Sequence, residues 1–491
     1  MVPFGSNGPQ IPKAIQQEGK AMSSELREAL TVSGASALVP KIIDPVLLEY
    51  QRRYSPLVRS IPTVNWNADQ YYFNQRTQVA AGGFVPDGGA RPVSNSTYVQ
   101  NNFQMKHVQV VGAVTGYAQE VTRQVIGDLR ETEIEGSIRG MYWDIETGIC
   151  WGNSAATLSG AQPQFDGLDS QVNTFTGGFQ NAQDKAGTTL SLAMLDELID
   201  MVETNAAMPV FDDTWMIVMS NTAASKVAQL QTGQQRFEAV EVATGLVVPS
   251  YRNIPLVKTS FLQARGYGMG TVTSATATTG GSIPLSTTYK YVVSAVVARQ
   301  GEIGVSGEVS QATGSGTSTN TITLSFSSPS GLDGLQPQLY KVYRTAAAGG
   351  TGTETFLGYV DGTVGLAADG VTPILTTSIV DTGTALVPQN GATVPGTLPA
   401  QYYGTSANML PPSTGQENIY LISRDRNNIV RPYVREAHPL DVYATTAAPD
   451  TLPYAVVTDT TLAVRAARYT GRLSRVGVSV CPRAPPPPPP G

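Results

Sequence analysis

Apolar residues recur along this chain with two periods, and the changes from one period to the other mark its organisation. The clearest helical stretch is "DLRETEIEGSIRGMYWDIETGICWG", where Ile134, Ile138, Met141, Ile145 and Ile149 return at spacings of four, three, four and four. Those spacings place all five on one stripe of a helix. Asp128, with Glu131 three residues later, has the form of a capping box. Glu131, Glu133 and Glu135 load the end where the helix dipole favours anions, and Glu135 with Arg139 forms an i,i+4 pair. The pattern predicts a helix over about 128–151, roughly 35 Å long.

Around it, "KHVQVVGAVTGY" (106–117) alternates like a strand, and "AQEVTRQVIG" reads as a short helix. Further on, "LAMLDELIDMVETNA" (192–206) is an amphipathic helix and "TWMIVMS" (214–220) a buried strand. "NTAASKVAQLQ" is a second helix with Ser220 as its cap, and "IPLVKTSFL" (254–262) a further strand. From residue 267 the period is two: Tyr289, Tyr291, Val293, Ala295 and Val297 alternate strictly. "TITLSF", "QLYKVYRTA", "TFLGYV" and "TSIVDTG" follow as short strands, which predicts a small β-sandwich. "ENIYLISRDRNNIVRPYVREA" and "LPYAVVTDTTLAVRAARYTGRLSRVGVSV" then give long antiparallel strands.

Residues 63–104 have neither period for long. Val64, Trp66, Tyr71 and Phe73 stand among polar residues on one side of "AGGFVPDGGARP" (81–92), and Val93, Tyr98 and Phe103 on the other. This predicts two extended arms of about twenty residues around a Gly/Pro turn, reaching roughly 60 Å. A lone two-stranded ribbon is marginal in water, so this one needs another surface to lie on. A phosphate cradle would need a following helix and a Lys-Ser/Thr pair, and the stretch has neither. "GYGMG" (266–270) likewise lacks a strand-to-helix setting and reads as a linker.

Composition narrows the class. Charged residues are 14 % of the 491, against about a quarter in ordinary soluble proteins, while 49 Gly and 33 Pro suit a β-rich chain with many turns. Residues 267–400 hold only eleven charged side chains. A net charge of −6 argues against a sequence-reading DNA binder. Cys150 and Cys481 read as free thiols, and no signal peptide or apolar run of membrane-spanning length is visible, so a soluble intracellular product is expected. The polar segment 1–35, with its helix-prone "SSELREAL", reads as a flexible arm. "LVPKIIDPVLLEYQRRYSPLVRSIP" (38–62) carries four prolines and is expected to extend along other structure. The terminal "APPPPPPG" reads as a polyproline II stub.

Candidate chemistry is sparse. The two histidines are His107, in a predicted strand, and His438, in "EAHPLD". A Ser-His-Asp relay through His438 would need a nucleophile elbow that the sequence lacks. No Cys/His metal spacing occurs. Asp166 and Asp169 in "FDGLDS" would suit a cation, but Asp-Gly is commoner as a plain turn. A Lys–Asn isopeptide from Lys290 or Lys341 is a minor alternative. The expected list of catalytic, metal and cofactor residues is therefore empty, and the chain is not expected to be an enzyme.

An arm, a long two-stranded loop, a long helix, an α/β section and returning strands, in that order, resemble the major capsid proteins of tailed phages with the Hong-Kong-97-type fold. The resemblance rests on "VPKIIDPVLLEYQRRYSPLVRSIP", the loop 63–104, "DLRETEIEGSIRGMYWDIETGICWGN", "FDGL" and "TLAVRAARYTGRLSRVG". It implies an α+β fold divided into an N-terminal arm (1–62), an extended loop (63–104) and a peripheral domain with its spine helix (105–187). An axial domain follows (188–266), then a sandwich insertion (267–400), return strands of both domains (401–480) and a Pro-rich tail (481–491). The insertion resembles immunoglobulin-like or fibronectin-type-III-like domains, which often face outward on phage proteins.

The implied function is self-assembly into hexamers and pentamers of an icosahedral head around double-stranded DNA, without sequence-specific contact. The implied partners are further copies of the chain, portal and scaffolding proteins and a decoration protein; no membrane is implied. Synthesis in the bacterial cytoplasm and residence in the virion go with it. Some members crosslink through a lysine on the extended loop, but no lysine lies between Lys41 and Lys106 here. Non-covalent ties are expected instead, with Arg52, Arg53, Arg76, Asp87 and Arg91 as candidate inter-subunit contacts. Loss of an N-terminal segment on maturation, frequent in the family, is not expected. The alternatives are another virion protein (tail tube or decoration), a surface adhesin, or an enzyme.

Overall fold

A computed structural model describes residues 55–90, 93–123, 128–152, 164–172, 180–211, 213–232, 239–243, 246–262, 269–297, 301–302, 305–327, 329, 337–366, 368, 373–384, 412, 415–442 and 450–478. The expected arm up to residue 54, the polyproline stub and most of "GYGMG" lie outside them. Three apolar cores organise the rest.

The first core lies between the spine helix and a sheet. The helix spans Leu129–Trp151, with Asp128 as its cap accepting a hydrogen bond from the Glu131 amide at 3.1 Å, as the capping pattern requires. Its stripe faces inward: Met141, Ile145 and Ile149 are buried, and Ile134 and Ile138 pack at the margin. On the outer side Arg139 meets Glu135 at 2.6 Å. The sheet runs in the order Thr63–Asn65, Ile429–Asp441, Thr451–Thr460, Lys106–Thr115, with Ala463–Val464 pairing beside the second strand. All its pairs are antiparallel except the first, where Thr63–Asn65 runs parallel to residues 431–433. Val108, Val110 and Val456 supply its side of the core.

The second core surrounds a seven-stranded sheet. Its order is Ala182–Asp184, Thr470–Gly477, Gln416–Ser423, Trp215–Ser220, Ile254–Thr259, Leu246–Tyr251, Ala239–Ala243. Trp215–Ser220 is buried at every position, which is why it reads as a continuous apolar run. The helices Leu192–Ala206 and Asn221–Thr232 fall where their periodicity predicts, and Ser220 accepts from the Ala223 amide at 3.0 Å.

In the third core two sheets face each other. One has the order Val272–Ala277, Thr321–Phe326, Ser378–Asp381; the other Gly301–Glu302, Thr288–Val297, Pro337–Arg344, Thr355–Asp361, with Val309–Ala312 on the second strand. The alternating Tyr289, Tyr291, Val293, Ala295 and Val297 all point into this core, opposite Ile322, Leu324 and Phe326.

Two expectations change. The short helix after the first long strand covers Gly116–Thr122, beginning two residues before "AQEVTRQVIG" because Thr115 caps it. The ribbon's paired part is also shorter than twenty residues per arm: Gln70–Gln78 pairs with Thr97–Gln104. The Val64 segment instead joins the first sheet, while nine of the residues between the arms are glycine, proline or alanine.

Candidate assembly surfaces and buried junctions

The ribbon is apolar at both ends for different reasons. At its base Tyr71, Phe73 and Phe103 are buried in the first core, with ring centroids 6.2 Å and 5.9 Å apart along the row. Trp66 closes the row edge-on against Tyr71 at 4.9 Å, and its indole donates to the Gln70 carbonyl. Asn101 and Asn102 donate across the pair to Gln75 and Gln70 at 3.1 and 2.7 Å. Toward the tip the ladder gives way to Ser hydroxyls: Ser96 and Ser94 accept from the amides of Ala80 and Ala81. The tip turns at Asp87-Gly88, where Gly88 has φ +76° and the Gly89 amide returns to the Pro86 carbonyl at 2.9 Å. Phe84 is fully exposed there, and Val79, Val93 and Tyr98 are exposed beside it. A ribbon that hangs its apolar side chains in water has a surface to meet.

Of the five candidate contact residues the described structure holds two. Arg76 is exposed and lies over the ring of Tyr98, its cross-strand partner, at 5.5 Å. Asp87 is exposed in the tip turn. Arg52, Arg53 and Arg91 lie outside the described residues.

Two buried carboxylates, neither on that list, tie the elements together. Glu146, on the spine helix, is fully buried. It accepts from the amides of Leu57 and Val58 at 3.2 and 3.0 Å, at the start of the short helix Pro56–Ser60, and from the Thr259 hydroxyl at 3.1 Å. One side chain thus joins the spine, the segment leading into the ribbon and a strand of the second sheet. Burial pushes its carboxyl up to about 7, against the pull of these three donors.

Asp169 sits in the turn of helix Leu168–Gln171 that follows the spine. The "FDGL" stretch is a close-packed return: the Gly167 amide donates to the Gly152 carbonyl at 2.9 Å, and a Cβ on Gly167 would lie 2.3 Å from the Gly148 carbonyl oxygen. This fixes Asp169 where Arg472 contacts one carboxylate oxygen at 2.7 Å and Lys341 the other at 3.4 Å. Arg472 also donates to the Asp169 carbonyl and stacks 5.7 Å from the Tyr420 ring. Burial would raise the Asp169 carboxyl; Arg472 and then Lys341 outweigh it and hold it below its ordinary value. The expected plain turn is therefore an ion-pair centre. Its partners lie 172 and 303 positions away, which no local pattern reveals.

The other chemically suggestive residues have structural surroundings. His107 pairs across strands with Asp459 at 2.5 Å, and Arg435 meets the second oxygen of Asp459. His438 Nδ1 contacts the Glu436 carbonyl of its own strand at 2.8 Å. Lys290 lies 3.1 Å from Glu308 and contacts Thr351. Cys150 is a buried free thiol, pushed well up by burial and then by Glu146 and Asp169; Cys481 lies outside the described residues.

The sequence over residues 58–263 matches the SU10 major capsid protein family. Among curated proteins none matches. Solved structures of similar shape include the SrpI encapsulin of Synechococcus elongatus, at 11 % identity and TM-score 0.45, covering 92 % of this chain and 97 % of that one. The capsid of an empty GTA particle is similar at 8 % identity and TM-score 0.43, covering 91 % and 99 %. The capsid of Myoviridae phage XM1 follows at 9 % and 0.44, covering 90 % and 98 %. The matched segment contains the ribbon, the spine helix and the carboxylates Glu146 and Asp169, so this part of the chain is similar in sequence to SU10 major capsid proteins.

Proposed function

We propose that this chain is the major capsid protein of a tailed double-stranded-DNA bacteriophage, building hexamers and pentamers of an icosahedral head. The observation that carries the reading is the ribbon: its base is locked into the first core, and its tip holds Phe84, Val79 and Val93 in solvent. A subunit that closes into a shell reuses one such patch at every neighbour. The ribbon and the segment 1–62 tie neighbours without covalent links, through apolar contact and the charges of Arg52, Arg53, Arg76, Asp87 and Arg91. The third core is an immunoglobulin-like or fibronectin-type-III-like insertion, residues 267–400, on the outer surface. The net charge of −6 keeps the inner wall from binding the packaged genome tightly. Portal and scaffolding proteins are the remaining partners.

Electron microscopy of the purified full-length chain tests this directly. Closed shells or hexameric rings are expected. Open tubes would point to a tail-tube protein, and discrete monomers at high concentration would remove the assembly role.

A further inference from the structure

The larger sheet of the insertion has two buried faces. Tyr340 and Val342 point into the sandwich core. Leu339, Lys341 and Tyr343 alternate with them and point the other way, yet all three are buried. So are Ser294, opposite Lys341, and Asp361, opposite Leu339, on the neighbouring strands. The outward face of a free sandwich sheet is wet and polar. Tyr343 is covered from within the insertion, by Val305 and Phe356; Lys341 is covered by the body, its ammonium reaching Asp169 beside the spine helix, where Arg472 from the second sheet holds the other oxygen.

A buried bridge of this kind contributes little net stability, because desolvating the charges offsets their attraction. Its effect is on geometry. The Asp169 pocket accepts the ammonium in one position, and an apolar face sliding past it would strand a charge in a dry site. We propose that the Lys341–Asp169–Arg472 bridge is a docking lock that holds the insertion at one fixed orientation on the subunit body, making it a rigid part of the subunit and not a tethered appendage. The lock acts within one chain and does not depend on how subunits assemble.

Hydrogen exchange on the full-length protein, as particles or as subunits, tests the lock through Lys341→Met and Lys341→Arg. Methionine keeps much of the side chain's length and apolar stem and leaves Asp169 with Arg472, one charge against one. Exchange in Leu168–Gln171 and Pro337–Arg344 is expected to rise about tenfold in Lys341→Met. It is expected to stay within about twofold of wild type in Lys341→Arg, with Trp215–Ser220 unchanged in both. Wild-type exchange at Leu168–Gln171 in Lys341→Met would overturn the proposal. So would an even rise across all three segments, which would make Lys341 a residue of general stability.

Discussion

Glu146 makes the stability of the protein respond to pH in the neutral range. Its carboxyl, ordinarily near 4.5, is raised to about 7 by burial, so the folded chain holds the proton more tightly than the unfolded chain. The stability this contributes is fully present below about 4.5 and is lost as pH rises through about 7, a swing of about 3 kcal/mol at most. Glu146→Gln removes the titration while keeping one carbonyl acceptor for the Leu57 or Val58 amide; its NH2 opposes the other amide, a cost that itself does not vary with pH. Calorimetry at one scan rate between about pH 5 and 8 is expected to show the wild-type midpoint falling with pH and the variant's curve flatter. Parallel curves would remove Glu146 from the account. The surface bridge of His107, Asp459 and Arg435 contributes less, because exposed pairs contribute at most about 1 kcal/mol.

Among the elements, the spine helix shows what is legible in a sequence and the ribbon what is not. The helix's cap, stripe and outer ion pair are all set by residues within four positions of one another, and Leu129–Trp151 forms where they say. Ile145→Ala, which empties a fully buried site, is expected to cost about 3 kcal/mol, and Asp128→Ala, which removes the cap, clearly less, both read by denaturant unfolding of the subunit. Equal costs would mean the stripe is not what anchors the helix. That two extended arms flank the Gly/Pro turn is legible too, but their length is not. Thr63–Asn65 leaves the ribbon to pair in parallel with residues 431–433, and nothing near Val64 records that partner. The same holds for Asp169, whose Asp-Gly setting looks like any turn until Lys341 and Arg472 arrive from distant strands. At the tip, Phe84→Ser with Val93→Ser removes only exposed apolar surface, so subunit stability should change by less than about 0.5 kcal/mol. Shell yield by sedimentation is expected to fall sharply. Unchanged yield would take the tip out of assembly.

At the scale of the whole molecule, three cores meet around the end of the spine, and the charge balance at Asp169 decides which of them can be spared. Lys341 belongs to the insertion; Asp169 and Arg472 belong to the rest. Removing residues 267–400 with a short bridge therefore takes away one cation and leaves one carboxylate against one guanidinium, still 2.7 Å apart. No orphan charge is created at Asp169, and the spine, the ribbon and the first two cores keep their described residues. Shells are accordingly expected from the deletion, counted by electron microscopy. In that shortened chain Asp169 still faces Arg472, so adding Asp169→Asn removes a buried counter-charge from the guanidinium, at a cost of about 3–5 kcal/mol. Shell formation should then fail or become strongly temperature-dependent, whereas in the full chain Asp169→Asn leaves two cations facing each other and should be at least as damaging. Loss of every shell on the deletion alone would place the insertion inside the shell's framework, and normal shells from the deletion with Asp169→Asn would show that the pair with Arg472 does not support the body.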